Sequence, residues 1–291
     1  MYNIPNYSHR PQQFSEDAIL CQKQSNFQSI LVFSSAQYGN VLVLDGVIQL
    51  TERDEFSYHE TMVHVPLCSH KCPRHVLIVG GGDGGILREV CRHSCVETIT
   101  VVEIDPMVVQ VCLEYFGQST ATSWKDPRVR LVHADAAKYV QECSEQFDII
   151  LGDTSDPVGP AETLFQPSFY ESMYAALKPH GIVCVQAECF WIHLDLIADL
   201  VACCHDIFET AEYATTMVPT YPCGQIGFLL ARKTDRWTCA RPVRILTDSE
   251  DLQWYSPAQH EASFVLPPFV RSRLDVGEED EDCLLARCTI S

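Results

Sequence analysis

Short apolar runs alternate with helix-length segments from His75 onward. The apolar runs predict strands at residues 75–79, 98–103, 128–133, 147–152 and 181–186. The segments between and after them predict helices near residues 84–93, 105–115, 135–142, 167–178 and 193–207. Such alternation predicts a parallel, doubly wound sheet. Two later runs, 211–217 and 225–231, predict an antiparallel edge for that sheet.

The chain before residue 70 has a different pattern. Residues 1–26 are polar and contain proline, which predicts an arm or a poorly fixed terminus. A small antiparallel sheet and a helix are predicted next: strands at 29–33, 41–44 and 47–50, an Asp45-Gly46 hairpin turn, and a helix over 56–67. Polar residues and proline near 69–74 predict a domain boundary. The predicted units are therefore 1–70, a β-hairpin domain with a linker helix; 71–274, an α/β domain with a C-terminal extension; and 275–291, an acidic tail expected to be disordered.

A glycine-rich turn follows the first predicted parallel strand. Gly80, Gly82 and Gly85 fit the G-x-G-x-x-G pattern, which lets backbone approach a ligand at a helix N-terminus. Glu103 ends the next strand about 20 residues later, where a carboxylate can accept ribose hydroxyls. The pattern predicts a nucleoside site on a Rossmann-like fold. A glycine turn that only packs helix on strand is the alternative.

Composition narrows the classes of function. The 291 residues are 46% hydrophobic, and 20 basic against 39 acidic side chains give a net charge of −19. This charge argues against nucleic acid and anionic membranes as partners and favours cationic substrates, although solubility alone also explains it. No run of about 18 apolar residues is present that could span a membrane.

The 15 cysteines are spread through apolar strands and helices, and no secretory leader is evident, which predicts reduced thiols and a cytoplasmic location. The pairs Cys68/Cys72 and Cys91/Cys95 lack the C-x2-C spacing of a zinc knuckle, so no metal is expected. Residues 288–291 fit a loose prenylation box, but their acidic flank counts against lipidation.

Acidic side chains stand where the predicted parallel strands end. They are Asp83, Glu103, Asp105, Asp135, Asp153, Asp156 and Glu188. Each alone could be a helix cap or a turn carboxylate, but the set is too consistent to consist of caps. Ligands bind at the carboxyl ends of parallel strands, so these acids predict one acidic cleft. No Arg or Lys is offered there for a pyrophosphate, which argues against a dinucleotide and for a cationic ligand.

An adenosine carrying a sulfonium would suit such a cleft. Its ribose would contact Glu103 and its adenine amine Asp135, and a second cation could lie between Asp153, Asp156 and Glu188. This arrangement predicts alkyl transfer from a sulfonium to an amine. An alkylammonium has a pKa of about 10.4, so a carboxylate must accept its proton before it attacks. Asp153 is the candidate base.

Three stretches resemble the polyamine aminopropyltransferase (spermidine synthase) family, eukaryotic type. They are residues 38–46 (YGNVLVLDG), 80–85 (GGGDGG) and 153–157 (DTSDP), and the resemblance extends from about residue 28 to 274. It implies a mostly parallel sheet of the class I methyltransferase type. It also implies aminopropyl transfer from decarboxylated S-adenosylmethionine, a co-substrate, to putrescine, giving spermidine and methylthioadenosine, and a homodimer or homotetramer.

The resemblance also implies roles for individual residues. The nucleoside and donor site falls on Gln28, His59, Asp83, Glu103, Asp135 and Ala136, with Asp83 holding the aminopropyl amine. The diamine site falls on Tyr58, Asp153, Asp156 and Tyr221, with Asp153 catalytic, and residues 154–166 match a lid. His59 replaces a glutamine and Ala136 a glycine of the family pattern. His59, titrating near pH 6.5, is expected to add a pH dependence unless it is only a helix-surface histidine.

Other functions stay open at this point. An aminopropyl- or N-methyltransferase with a different acceptor would differ in pocket length, which Phe165, Trp191 and Ile226 could shape if they are not plain core. A catalytically silent homologue that binds nucleoside or regulates a partner is a further alternative, although Asp153 is present.

Overall fold

The computed structural model describes residues 3–4, 12–13, 18–153, 166–234, 236–246 and 251–274. Within them the strands form a two-stranded, a four-stranded and a seven-stranded sheet. Asp156, Phe165, nearly all of the predicted lid, the acidic tail and the C-terminal box lie outside the described residues. None of the described helices is both long enough and apolar enough to cross a bilayer.

The N-terminal sheets are antiparallel. Strand β1 (Asn3–Ile4) pairs with β2 (Gln12–Gln13). The four-stranded sheet follows chain order: β3 (Ile19–Gln24), β4 (Ser29–Ser35), β5 (Gly39–Leu44) and β6 (Val47–Thr51). The hairpin at Asp45-Gly46 is confirmed, and both residues have positive φ, 48° and 85°, as a type I′ turn requires.

Strand β3 corrects one prediction, because it lies within the segment expected to be an unfixed arm. Its sequence, ILCQKQ, buries only Cys21 fully, so it lacks the alternation of apolar and polar residues that marks a half-buried strand. It forms because its backbone pairs with β4.

The seven-stranded sheet confirms the predicted α/β topology. Its strands are β7 (His75–Gly80), β8 (Thr98–Val102), β9 (Val129–Val132), β10 (Phe147–Asp153), β11 (Leu177–Gln186), β12 (Thr210–Met217) and β13 (Gln225–Arg232). Their order is β12-β13-β11-β10-β7-β8-β9. The neighbours from β11 to β9 are parallel, whereas β13 is antiparallel to both β11 and β12, which gives the predicted antiparallel edge.

Helices cover both faces of this sheet. Their bounds are α1 (Glu55–Ser69), α2 (Gly85–Cys91), α3 (Pro106–Tyr115), α4 (Ala136–Gln141), α5 (Pro167–Ala176), α6 (Phe190–Ile207), α7 (Pro257–Ala262) and α8 (Pro268–Leu274). One face packs Leu77 and Ile150 against α4, α5, α6 and α8. The other packs Ile78 and Leu151 against α1 and α2. Helix α6 starts three residues before the predicted position and has a kink at His193.

Helix α1 is buried on nearly all sides. All but one of its 15 residues are buried, as expected of a helix enclosed by other elements. It packs on α2 and shares a core with the seven-stranded sheet. On its outer side, the Glu60 carboxylate accepts backbone N–H bonds from Gln253, Trp254 and Tyr255 at 2.7–2.9 Å. The predicted domain boundary near residues 69–74 stays a prediction.

The doubly wound core makes buried leucines costly to shorten. Leu77 is fully buried on β7, so Leu77→Ala is expected to lower the free energy of unfolding by about 2–5 kcal/mol through lost burial and a cavity. Leu113→Ala, the same change at a side chain that is 45% exposed, is the control and should cost about 0.5 kcal/mol. Urea unfolding followed by circular dichroism measures both. Equal losses would contradict this account of the core.

Candidate active site

A cavity of about 310 Å³ opens at the carboxyl ends of β7, β8 and β10, facing the N-terminal sheet. This is the edge at which parallel sheets bind ligands. The described residues predicted for the site all line it: Gln28, Tyr58, His59, Asp83, Glu103, Asp135, Ala136, Asp153 and Tyr221. Glu188 and Ile226 line it as well, whereas Trp191 is 63% exposed and packs on Phe269 instead.

The glycine turn after β7 brings backbone and side chains unusually close. Gly80, Gly81 and Gly84 have φ between 71° and 84°. A Cβ on Gly82 would lie 2.8 Å from Glu103 Oε2, and a Cβ on Gly85 would lie 2.2 Å from the His59 ring. The glycines therefore make room for one acidic side chain, Glu103, and one basic side chain, His59, in addition to packing helix on strand.

Asp153 is the last residue of β10 and pairs in register with Gly80. Its Oδ1 accepts a 2.6 Å hydrogen bond from the hydroxyl of Tyr58, on helix α1. Burial and the nearby Asp83 charge raise the pKa of Asp153 to about 6, although the Tyr58 bond and His59 act in the opposite direction. Burial and Asp153 raise the pKa of Tyr58 well above its ordinary value, so Tyr58 is a neutral donor.

His59 is buried, with only 2% of its surface exposed. Its Nδ1 lies 2.5 Å from Glu55 Oε2, and its Nε2 lies 3.6 Å from Asp83 Oδ1. Burial alone would lower the pKa of His59, but Asp83 and Glu55 raise it to about 10. The helix-surface alternative is wrong, because the ring is buried. The raised pKa moves the expected titration from near pH 6.5 to above the neutral range.

Asp83 is ionised for the same reason. Burial opposes its charge, but His59 and a 2.6 Å hydrogen bond from the Gly85 N–H lower its pKa. The cavity therefore holds two aspartates with different proton affinities: Asp83 next to the His59 ring, and Asp153 next to a neutral phenol.

A chain of buried ion pairs, which we call the α1–α2 seam, continues from His59. Glu55 binds Arg88 through two hydrogen bonds of 2.9 Å. Arg88 Nε donates to Glu89 at 2.6 Å, and Glu89 Oε2 lies 3.1 Å from His64 Nε2. Sequence reasoning missed Glu55 and Arg88. The only local signal was the four-residue spacing of Glu55 and His59, which puts both on one helix face.

Two of the acids that follow the strands, Asp105 and Asp135, are helix N-caps. The sequence had led us to expect that the set would not consist of caps. Asp105 caps α3 by accepting from Met107 N at 3.0 Å, and Asp135 caps α4 by accepting from Ala137 N at 3.0 Å. Asp135 also lines the cavity, so capping does not remove it from the site. Asp105 additionally accepts from Gln28 Nε2 at 3.1 Å and thereby fixes that amide.

Glu103 stands between the caps and the glycine turn. It is 8% exposed, and its Oε1 accepts from Asp105 N at 2.8 Å. Burial raises the pKa of Glu103 to about 7; the Asp105 N–H bond lowers it, and the Asp105 charge adds to the rise. A ligand that donates hydrogen bonds to the charged form of Glu103 would stabilise that form and lower the pKa of this carboxyl.

The far end of the cavity holds more polar groups. The Tyr221 hydroxyl donates to Gln49 O at 2.7 Å, and its ring lies edge-on to that of Tyr58 at 6.0 Å. Glu188 has a positive φ of 61° and lies 3.8 Å from His193 Nε2. The buried amides Gln186 and Gln225 also line the cavity and were missed, because glutamine in a strand carries no distinctive sequence signal.

Among the residues that the structure describes, no three His, Cys, Asp or Glu side chains are arranged to hold a metal ion. The absence of a metal stays a prediction.

A doubly wound sheet with a glycine turn and an acidic cavity at its carboxyl edge defines a Rossmann-like protein of the class I methyltransferase type. Two family models together span most of the chain: the spermidine synthase tetramerisation domain over residues 9–52 and the spermine/spermidine synthase domain over residues 55–240. The chain therefore belongs to the spermine/spermidine synthase family and is an aminopropyltransferase.

Individual relatives agree with this assignment. The chain is 47% identical over 269 residues to spermidine synthase 2 of Arabidopsis thaliana, covering 89% of this chain and 79% of the relative. It is 43% identical to spermine synthase of the same plant, with 93% and 77% covered. A crystal structure of a spermidine synthase in complex with the transition state analogue AdoDATO is similar, with a TM-score of 0.85, 33% identity and 94% and 93% covered.

The α1–α2 seam should make stability depend on acid pH. Burial alone would raise the pKa of Glu89, but His64 and Arg88 lower it to about 2, against 4.5 when unfolded. Because the folded pKa is depressed, this contribution is present above pH 4.5 and is lost as pH falls toward 2. Glu89→Gln should therefore cost about 3 kcal/mol at pH 7, and the difference from wild type should shrink by more than half at pH 3.

Urea midpoints at pH 7, 5 and 3 measure this effect. Glu97→Gln is the matched control, because Glu97 pairs with Arg74 on the surface and its side chain is 55% exposed. That change should stay within about 0.5 kcal/mol at every pH. A Glu89→Gln penalty that is the same at pH 7 and pH 3 would show that the carboxylate charge is not what stabilises the seam.

Proposed function

We propose that the chain is a spermidine synthase, which transfers the aminopropyl group of decarboxylated S-adenosylmethionine to putrescine and releases spermidine and methylthioadenosine. The observation that carries this proposal is the state of Asp153. It is a partly buried carboxylate whose pKa is raised to about 6, hydrogen-bonded by Tyr58 at 2.6 Å and lining a cavity with acidic groups at both ends. A base for an attacking ammonium requires these properties.

The donor is assigned to the half of the cavity between the glycine turn and α4. Glu103 would accept the two ribose hydroxyls and Asp135 the adenine amine, with Gln28 and Ala136 beside them. Asp83 would bind the terminal ammonium of the aminopropyl group. A solved relative that covers nearly the whole chain at 33% identity is in complex with a transition state analogue, which supports binding of such a donor by this chain.

The proposed reaction is a direct displacement. The putrescine amine attacks the aminopropyl carbon next to the sulfonium, the C–N bond forms, and the C–S bond breaks with its electron pair on sulfur, which leaves neutral methylthioadenosine. The proton of the ammonium passes to the Asp153 carboxylate. Tyr58 holds that carboxylate in place, and fixing both substrates in line supplies much of the rate.

Donor choice follows from the same charges. Asp83 is ionised, so S-adenosylmethionine, with a carboxylate at that end, would place two negative charges in contact, at a cost of several kcal/mol. The decarboxylated donor presents only the ammonium. Asp83→Asn should therefore reduce the ratio of the affinity for the decarboxylated donor to the affinity for S-adenosylmethionine, as measured by competitive binding.

The acceptor is assigned to Tyr58, Tyr221, Asp156 and Glu188. The carboxylates of Asp156 and Glu188 can neutralise its second ammonium. Putrescine fits a cavity with acids at both ends. Spermidine is the second candidate acceptor, because the chain is also 43% identical to a spermine synthase. We further propose a homodimer or homotetramer, which the match of residues 9–52 to a tetramerisation domain supports. The predicted cytoplasmic location stays a prediction.

Turnover with separate acceptors tests this proposal. With decarboxylated S-adenosylmethionine, putrescine should outperform cadaverine and spermidine in release of methylthioadenosine. Asp153→Asn should lower kcat by about 10²–10⁴, because the proton acceptor is lost. The control is Asp195→Asn, at a side chain that is 87% exposed, which should keep wild-type rates. Faster turnover of spermidine would make the chain a spermine synthase, and no turnover with any amine would exclude aminopropyl transfer to these acceptors.

Nucleoside binding should release a proton. The pKa of Glu103 is raised to about 7 in the free site, so a fraction of this carboxyl is protonated at pH 7. Ribose hydroxyls that donate to the charged form would lower that pKa and expel the proton. Calorimetric titration of methylthioadenosine in two buffers with different ionisation heats measures the release.

Two variants assign that proton. Glu103→Gln should abolish the release, whereas Asp153→Asn should reduce it without abolishing it, because the Asp153 charge contributes to the raised pKa of Glu103 but burial is the larger cause. Release that persists in Glu103→Gln would place the proton elsewhere and contradict the ribose assignment.

A further inference from the structure

The cavity concentrates negative charge with little to balance it. Asp83, Glu103 and Asp153 are all part of its lining, and none of the described lining residues is Lys or Arg. Histidine supplies the basic groups there, His59 being buried and His193 being 44% exposed. His59 is therefore the buried group that can offset the carboxylates before a cationic substrate enters.

Geometry favours a cationic His59. Both terminal nitrogens of the Arg88 guanidinium donate to Glu55, so the Glu55 carboxylate is ionised, and its Oε2 accepts from His59 Nδ1 at 2.5 Å. The other ring nitrogen, Nε2, faces Asp83 Oδ1 at 3.6 Å. A neutral ring with its proton on Nδ1 would point a lone pair at that carboxylate. When both carboxylates are ionised, the doubly protonated ring suits both neighbours.

The ring also has no room to turn away. A Cβ on Gly85 would lie 2.2–2.5 Å from three of its atoms, and the Tyr58 ring packs edge-on against it with centroids 5.5 Å apart. The Glu55–Arg88 pair joins α1 to α2 on the other side. His59 is therefore held between two helices and the glycine turn in one orientation.

We propose that Glu55 and Arg88 are positioning residues of the reaction, which act through His59 to keep Asp83 ionised and to leave Asp153 as the carboxylate that takes the proton. This inference rests on the proposed function of the site. It gives a role in the reaction to Glu55 and Arg88, which do not line the cavity. It also gives one to His59, which replaces the glutamine of the family pattern.

The charges around His59 explain why Asp83 and Asp153 have different roles. Glu55, Arg88, His59 and Asp83 form a quartet with two positive and two negative charges. Arg88 also pairs with Glu89, which in turn contacts Arg92 and His64. The other titratable groups near the Asp83 end are Tyr58 on α1, Asp153 on β10, Glu103 just after β8 and Cys112 on α3. Asp153 lies outside the balanced quartet, so it holds its proton more readily than Asp83. Without the imidazolium, the two aspartates would compete for one proton.

The protonation state of His59 can be measured directly. In the full chain labelled with ¹⁵N-histidine, the His59 signals, assigned by their loss in His59→Gln, should report a doubly protonated ring at pH 8. In Glu55→Gln the ring should be neutral at that pH, because one of its two carboxylates is gone. A neutral His59 ring in the wild type at pH 8 would overturn the proposal whether or not the enzyme turns over the proposed substrates.

The pH profile of kcat/KM for the donor tests the functional consequence. His59→Gln and Glu55→Gln should both move the acidic limb up by about one pH unit, because removing the cation makes Asp83 and Asp153 easier to protonate. The matched control is Glu60→Gln, a buried acid on the same helix that binds the backbone of residues 253–255 instead. It should lower stability and leave the limb in place.

These outcomes separate this inference from the proposed function. Absence of wild-type turnover would refute the proposed function, and the spectroscopic experiment would then decide the state of His59. Wild-type turnover with an unmoved acidic limb in His59→Gln would refute the positioning role alone. If Glu55→Gln does not fold, His59→Gln, which leaves the Glu55–Arg88 pair intact, still tests the step through His59, and an unmoved limb in that variant overturns the proposal. A limb that moves equally in Glu60→Gln would reduce the effect to general destabilisation.

Discussion

Compensation of buried negative charge is the constraint on which the rest of the site depends. Removing a carboxylate from water costs several kcal/mol unless it is paired or hydrogen-bonded. Three of the carboxylates that line the cavity have three different partners: the His59 ring for Asp83, backbone N–H for Glu103 and the phenol of Tyr58 for Asp153. Chemically similar groups thereby acquire different proton affinities within one small space.

Helix α1 makes this arrangement possible because it is held from several directions. Ser57 Oγ donates to Met217 O at 2.7 Å, and Asp54, the residue before the helix, accepts from Thr220 N and Oγ1 at 2.8–2.9 Å. Glu60 is bonded by the C-terminal segment. Tyr58 and His59 therefore project into the cavity from a rigid support, which is what precise positioning of reacting groups requires.

The fold and the place of the site could be predicted because both follow from local patterns. Continuous apolar strands such as residues 76–79 and 149–151 indicate a covered parallel sheet, and the topology then brings the residues that end them to one edge. The features that were missed depend on residues distant in sequence. Arg88 is 33 positions from Glu55, so nothing local announces their pairing. The environment of His59 likewise arises from tertiary neighbours, and β3 depends on its partner strand.

Asp105 connects two parts of the molecule that the family models match separately. It caps α3, within residues 55–240, while accepting from Ser25 Oγ at 2.6 Å and from Gln28 Nε2 at 3.1 Å, within residues 9–52. A ligand that contacts Gln28 thus binds across a joint. Thermodynamic linkage then applies. Any binding free energy that the ligand gains from the docked N-terminal sheet equals the free energy by which the ligand stabilises that docking.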